Sequence, residues 1–188
     1  MKKRLGPSER LYPMPCPLVV GGTLEKADLL AVAWINVISS TPPTVAMGLR
    51  STRETLAHIR AIGDFTVNVA PTSLATQVDY CGLVSGRTVD KWAATGLHPQ
   101  GSDIVQAPMV AECPYNLECV VRELHQVGEY VIVFGEIVQT HAEESLLNAE
   151  GKVDIDKLDP LVYIAGVREY RSVGPKVADA FSVGKSLD

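Results

Sequence analysis

Residues 115–144 read YNLECVVRELHQVGEYVIVFGEIVQTHAEE, and this stretch decides the fold. Two runs rich in valine, isoleucine and aromatic residues, 115–128 and 130–144, meet at Gly128-Glu129. Branched and aromatic side chains favour extended backbone because they pack well on a pleated surface. So tight a connection joins only antiparallel neighbours, since a parallel return needs a crossover of roughly a dozen residues. The stretch therefore predicts a long hairpin. Gly135, inside the second run, marks either a bulge or a close approach by another backbone.

Working toward the N-terminus, the signals stay strand-like. LVVGG (18–22) is a short apolar run, and LLAVAWINVISS (29–40) reads as one longer strand stopped by Thr41-Pro42-Pro43. TVAMGL (44–49) returns from that turn, which predicts a second hairpin. A helix is expected over 52–62: Ser51 and Glu54 have capping-box spacing, Leu56, Ile59 and Ile62 form one apolar stripe, and Gly63 ends it. DFTVNV (64–69) alternates as a half-buried strand would, and 71–82 and 87–96 read as short helices. LVYIAG (161–166), followed by REYRSVG, is expected to close the sheet. Short strands with few helices predict a mainly β, antiparallel barrel, because a doubly wound parallel sheet requires regular strand–helix alternation. The 188 residues fit one domain, with 1–14 and 175–188 as peripheral arms.

Composition narrows the function. A formal net charge of −5 predicts no nucleic-acid partner. No run approaches the roughly 20 apolar residues of a membrane-spanning helix, so no membrane association is expected. The basic start MKKRLGP runs into Pro13, Pro15 and Pro17 rather than an apolar core, which argues against a signal peptide and for a soluble, cytoplasmic protein. Cys16, Cys81, Cys113 and Cys119 lack the close pairing of a zinc site, so the expectation is buried reduced thiols and no metal. A hydrophobic content of 46% in so short a chain points toward a buried oligomer interface.

Three places carry polar groups suited to a ligand. The turn GLRSTRET (48–55) gathers Arg50, Ser51, Thr52, Arg53 and Thr55 at a helix start. Unpaired N–H groups and the helix dipole favour an anion there, and arginine adds charge-assisted bonds. The same residues also read as a capped helix with solvated arginines, and the turn alone leaves both readings open. Lys91 and Trp92 pair a flexible cation with a flat ring, suited to phosphate and heterocycle or to a plain surface loop. Trp34, Asn36 and Ser39 interrupt a core-type strand, where they face a ligand or cap the strand.

In this order, AVAWINVISSTPPTVAMGLRSTRETLAHIRAIGDFTVNV, then CGLVSGRTVDKW, then VFGEIVQTH, the chain resembles the flavin reductase-like, FMN-binding split-barrel family, nearest its flavoredoxin branch. The resemblance spans about residues 15–170 and rests on the ordered set rather than on one motif. It implies a split β-barrel of antiparallel, Greek-key type that binds FMN, assembles as a homodimer, and works as an electron-transfer protein or oxidoreductase. By that resemblance the flavin ring lies against Trp34, Asn36, Val37, Ile38 and Ser39. The phosphate and ribityl chain fall to Leu49, Arg50, Ser51 and Thr55, assisted by Lys91, while Asn68, Val69 and Trp92 line neighbouring walls. Reductase members commonly carry Asp-His a few residues before the glycine matching Gly135; here the pair is Glu129-Tyr130. That departure weighs against efficient NAD(P)H-driven release of reduced flavin, and leaves both a ferredoxin-like protein and NAD(P)H open as the electron partner. His141 reads as structural.

Overall fold

The computed structural model describes residues 1–187. In chain order the elements are β1 (Met14–Pro15), β2 (Leu18–Thr23), β3 (Lys26–Ala31), β4 (Ile35–Ser40), β5 (Pro43–Arg50), α1 (Glu54–Ile62) and β6 (Asp64–Val69). There follow α2 (Ala75–Leu83), α3 (Lys91–Thr95), β7 (Pro99–Gln100), β8 (Met109–Val110), β9 (Tyr115–Val127) and β10 (Tyr130–Ala142). The chain continues through α4 (Ile155–Leu158), β11 (Val162–Ile164) and β12 (Glu169–Arg171).

Seven strands form one antiparallel sheet in the order β3-β2-β6-β9-β10-β5-β4. Its edge strands, β3 and β4, are consecutive in the chain and separated only by Val32, Ala33 and Trp34. So short a link spans roughly 14 Å at full extension. The sheet must therefore curl until its edges face each other, which makes an open barrel. Val19, Leu30, Val45, Met47, Leu49, Phe65, Cys119, Val131 and Val133 fill the inside. Leu56 and Ile59 of α1 add to that core and are wholly buried, worth about 1.5–3 kcal/mol each. The helix sits so close to β2 that a Cβ on Gly21 would lie 2.9 Å from the Thr55 carbonyl oxygen. A second core covers the other face of β2 and β3, where Leu18, Val20 and Leu29 meet Val78, Cys81, Val110 and Cys113.

Several elements differ from the sequence expectation. The run 29–40 is two strands rather than one, because the chain turns the barrel corner at 32–34. Strand β6 is buried on both faces, since it is central and sandwiched between the two cores; its polar Thr66 and Asn68 are wholly buried and hydrogen-bonded. The 161–166 segment does not close the main sheet: β11 pairs with β1 and β12 in a separate three-stranded sheet. Helix α1 begins at Glu54, with Arg53 in the cap position and no side-chain cap bond, so the Ser51–Glu54 capping box does not form. Glu54 instead accepts from Arg87 Nε at 2.9 Å. Gly135 does lie beside a bulge, but the extra residue is Arg122 on the facing strand, and the close neighbour is the Phe65 ring rather than backbone. A Cβ at Gly135 would fall 2.3 Å from Phe65 Cζ. The 115–142 hairpin, the 40–43 turn and the short helices after β6 occur where the residues predict them.

Candidate functional site

Arg50 ends β5, and the strand register places it directly opposite Tyr130, the first residue of β10. Its Nε–H donates to the Tyr130 hydroxyl at 2.9 Å, and its Cζ lies 5.6 Å from the centre of that ring. Tyr130 in turn packs against Trp34, the corner residue before β4, with ring centres 4.9 Å apart at 53°. The turn after Arg50 is stitched to the same hairpin by the Ser51 N–H, which donates to the Glu129 carbonyl at 2.9 Å. The bond to Tyr130, followed by that ring's electrostatic influence, holds the Arg50 proton more tightly than usual.

These residues border a cleft of about 350 Å³ at the barrel corner. Leu30 to Trp34, Gly48 to Arg50 and Tyr130 line it, together with Glu9, Arg53, Tyr163 and Arg168. The volume is within the range of small-molecule sites. Arg50, Ser51 and Thr52 are exposed, and α1 starts beside them with no side chain capping its first turn. Arg50 and Arg53 both line the cleft beside the positive end of the helix, Arg53 also donating from Nη1 to the Gly82 carbonyl at 3.3 Å, and a positive helix end with an exposed arginine is suited to a phosphate.

The other sequence-selected residues divide among distinct surroundings. Thr55 and Lys91 are buried and meet on Asp28: the Thr55 hydroxyl donates to its carboxylate, and Lys91 Nζ lies 3.1 Å from Oδ1. Lys91 also donates to the Leu29 carbonyl at 2.6 Å. Trp92 donates its indole N–H to the Ala27 carbonyl and packs on the second core. Asn68 spends its amide inside the sheet, donating to Leu18 O and Thr66 Oγ1 and accepting from Val110 N and Asn116 Nδ2. Asn36, Val37 and Val69 line an apolar groove of about 360 Å³ with Pro13, Pro15 and Leu161. Ile38 is the extra residue of a bulge in β4, exposed at the free edge, while Ser39 Oγ accepts from Thr41 N. Trp34, Leu49, Arg50 and Ser51 are thus gathered at the corner, whereas Thr55 and Lys91 are buried on Asp28, away from the cleft lining.

Sequence reasoning treated Tyr130 only as a departure from a pattern. Its signal lies in the register, because the long hairpin brings residue 130 opposite residue 50, across 80 positions of chain. A separate cluster joins Asp103, Glu118 and His141. Glu118 is wholly buried, accepts from the N–H groups of Asp103, Ile104 and Val105, and pairs with His141 Nε2 at 2.6 Å. Burial pulls its carboxyl upward, but the backbone donors and His141 prevail and hold it below the usual range. With its lone pairs occupied, Glu118 serves as an anchor for the 103–105 loop. The four thiols are all buried; burial pushes Cys16, Cys113 and Cys119 up to about 12 and Cys81 to about 11, so they stay protonated and unreactive.

Comparison with known proteins places this geometry. The sequence model of the family described as "Flavin reductase like domain" matches residues 10–174. A flavoredoxin of Desulfovibrio vulgaris (Miyazaki F) is 36% identical, with a TM-score of 0.91 over 98% of this chain and 100% of that one. A flavoredoxin from Methanosarcina acetivorans is 34% identical, with a TM-score of 0.93 over the full length of both. An uncharacterized protein of Archaeoglobus fulgidus is 31% identical over 149 residues, 79% of this chain and 82% of that one. The curled sheet is thus a split barrel of the flavoredoxin kind.

Proposed function

Because the chain belongs to the flavin reductase-like domain family, we propose that its corner cleft holds FMN and that the protein passes electrons through that flavin, as an electron-transfer flavoprotein of flavoredoxin type. The observation that carries this reading is the uncapped start of α1 next to Arg50 and Arg53, two residues that line one cleft with Trp34 and Tyr130. The residues fit the group at both ends. Arg50, Ser51 and the first-turn N–H groups, that of Thr55 included, suit the phosphate. Trp34, Tyr130 and the exposed edge from Asn36 to Ser39 suit a flat heterocycle with polar margins. When bound, the isoalloxazine ring supplies the redox chemistry.

The chain's own residues then hold and orient. Asp28, clasped by Thr55 and Lys91, ties the first turn of α1 to β3, so the anion-facing N–H groups are set on a rigid base. Hydride transfer to a flavin needs no protein acid or base, and the residues here are accordingly binding groups. The likeness to two flavoredoxins at 34–36% identity favours a retained flavin serving a ferredoxin-like partner over one released after reduction by NAD(P)H. We read the working form as a cytoplasmic homodimer; Val37 and Ile38, exposed on the free edge of β4 beside the cleft, are the surface that favours a second copy.

The purified chain is expected to be yellow or to bind added FMN at one per subunit, read by quenching of flavin fluorescence. A chain that quenches none defeats the proposal. Anaerobic holoprotein is then mixed with NADH, NADPH or a reduced ferredoxin-like donor while flavin absorbance is followed. Bleaching by the protein donor alone supports the carrier; fast bleaching by a nicotinamide assigns a reductase instead.

A further inference from the structure

We infer that Tyr130 makes the cleft selective for phosphate-bearing ligands by aiming the Arg50 guanidinium; this rests on the reading that the turn at 50–55 holds a phosphate. An exposed arginine at a strand end ordinarily samples many rotamers, and each must be given up when it binds. Arg50 is restrained before any ligand arrives. Its Nε–H donates to the Tyr130 oxygen at 2.9 Å, and the guanidinium lies against the ring at 5.6 Å. That bond engages the inner nitrogen and leaves the two terminal nitrogens, the fork that matches two phosphate oxygens.

The aim is fixed from behind as well. Tyr130 pairs with both Val127 and Arg50 in the sheet, its ring is braced by Trp34 at 4.9 Å, and the Ser51 N–H is tied to the neighbouring Glu129 carbonyl at 2.9 Å. A phenol accepts through its lone pairs and donates through one hydrogen. The oxygen accepts from Arg50. Phenylalanine would keep the packing on Trp34 and remove the acceptor that holds the guanidinium.

The experiment compares FMN with riboflavin, which lacks the phosphate, on wild type, Tyr130→Phe, Arg50→Ala and the double variant, with thermal unfolding run alongside. Wild type is expected to prefer FMN. In Tyr130→Phe, FMN affinity falls about tenfold, the loss of a charge-assisted hydrogen-bonding group, while riboflavin affinity holds within about twofold. In an Arg50→Ala background, Tyr130→Phe adds much less than its tenfold effect, because its main target is gone. Equal losses for both flavins, full additivity with Arg50→Ala, or unchanged FMN binding in Tyr130→Phe each overturn the inference. Failure of wild type to distinguish FMN from riboflavin instead overturns the phosphate site itself, so the two failures are separable.

Discussion

Arg50 and Lys91 are both cations set near the start of α1, yet the fold treats them oppositely. Arg50 is exposed on the cleft rim with a phenol beside it, whereas Lys91 is 3% exposed and shares Asp28 with Thr55. Charge alone does not assign a role; the partner and the solvent do. A cation left in water keeps its binding capacity at little structural cost. One taken out of water must be matched by a carboxylate, and its removal is felt by the whole fold. Arg50 is accordingly left available at the cleft, whereas Lys91 belongs to the scaffold beneath α1's first turn.

The largest expected effect comes from stripping the buried cation of its partner. Asp28→Ala leaves Lys91 buried with only the Leu29 carbonyl, which is expected to cost about 3–5 kcal/mol in denaturant unfolding. Replacing both, Asp28→Leu with Lys91→Met, recovers more than half of that loss, since no unpaired charge remains. A double variant as unstable as Asp28→Ala would break the contrast by showing that shape, not charge, is what the site supplies.

Glu118 extends the comparison to a buried anion. Glu118→Gln turns amide hydrogens toward backbone N–H groups and is expected to cost about 2–3 kcal/mol at neutral pH. The carboxyl is held below its usual pKa in the folded chain, so its contribution is present above the unfolded value of about 4.3. It is lost as pH falls through the lower folded value. Wild type thus has an acid limb of stability below about pH 4.3 that Glu118→Gln flattens, measured by unfolding at stepped pH. An unchanged acid limb would remove Glu118 from the buried set.

Arg50→Ala gives the smallest effect on stability, within about 0.5 kcal/mol, because the side chain is exposed. Its effect appears in binding: FMN weakens about tenfold or more while riboflavin does not, by titration of flavin fluorescence. A large stability loss, or equal weakening of both flavins, would make Arg50 a scaffold residue like Lys91.

Much of this was legible locally. The 115–142 hairpin follows from branched residues on both sides of Gly128-Glu129, and the 40–43 turn from its prolines. The arginine and hydroxyl turn was legible as a possible anion site, but the alternative of a capped helix was settled only by the helix starting at Glu54 without a side-chain cap. DFTVNV shows the limit of periodicity. Its alternation of apolar and polar residues matches a half-buried strand, yet Thr66 and Asn68 are wholly buried because neighbouring strands and the 108–110 segment satisfy them.

The sequence by itself determined the hairpins, the antiparallel class and the position of α1, all consequences of interactions among residues near one another in the chain, and it singled out the polar residues of the 50–55 turn. Only the tertiary structure decided how those residues divide. Asp28 and Lys91 meet across 63 positions and Arg50 and Tyr130 across 80, and strand order and register set both meetings. Register is fixed by which faces are buried over the whole sheet, a collective quantity that no short stretch contains. That is why two similar cations became, respectively, a ligand-facing arm and a buried tie.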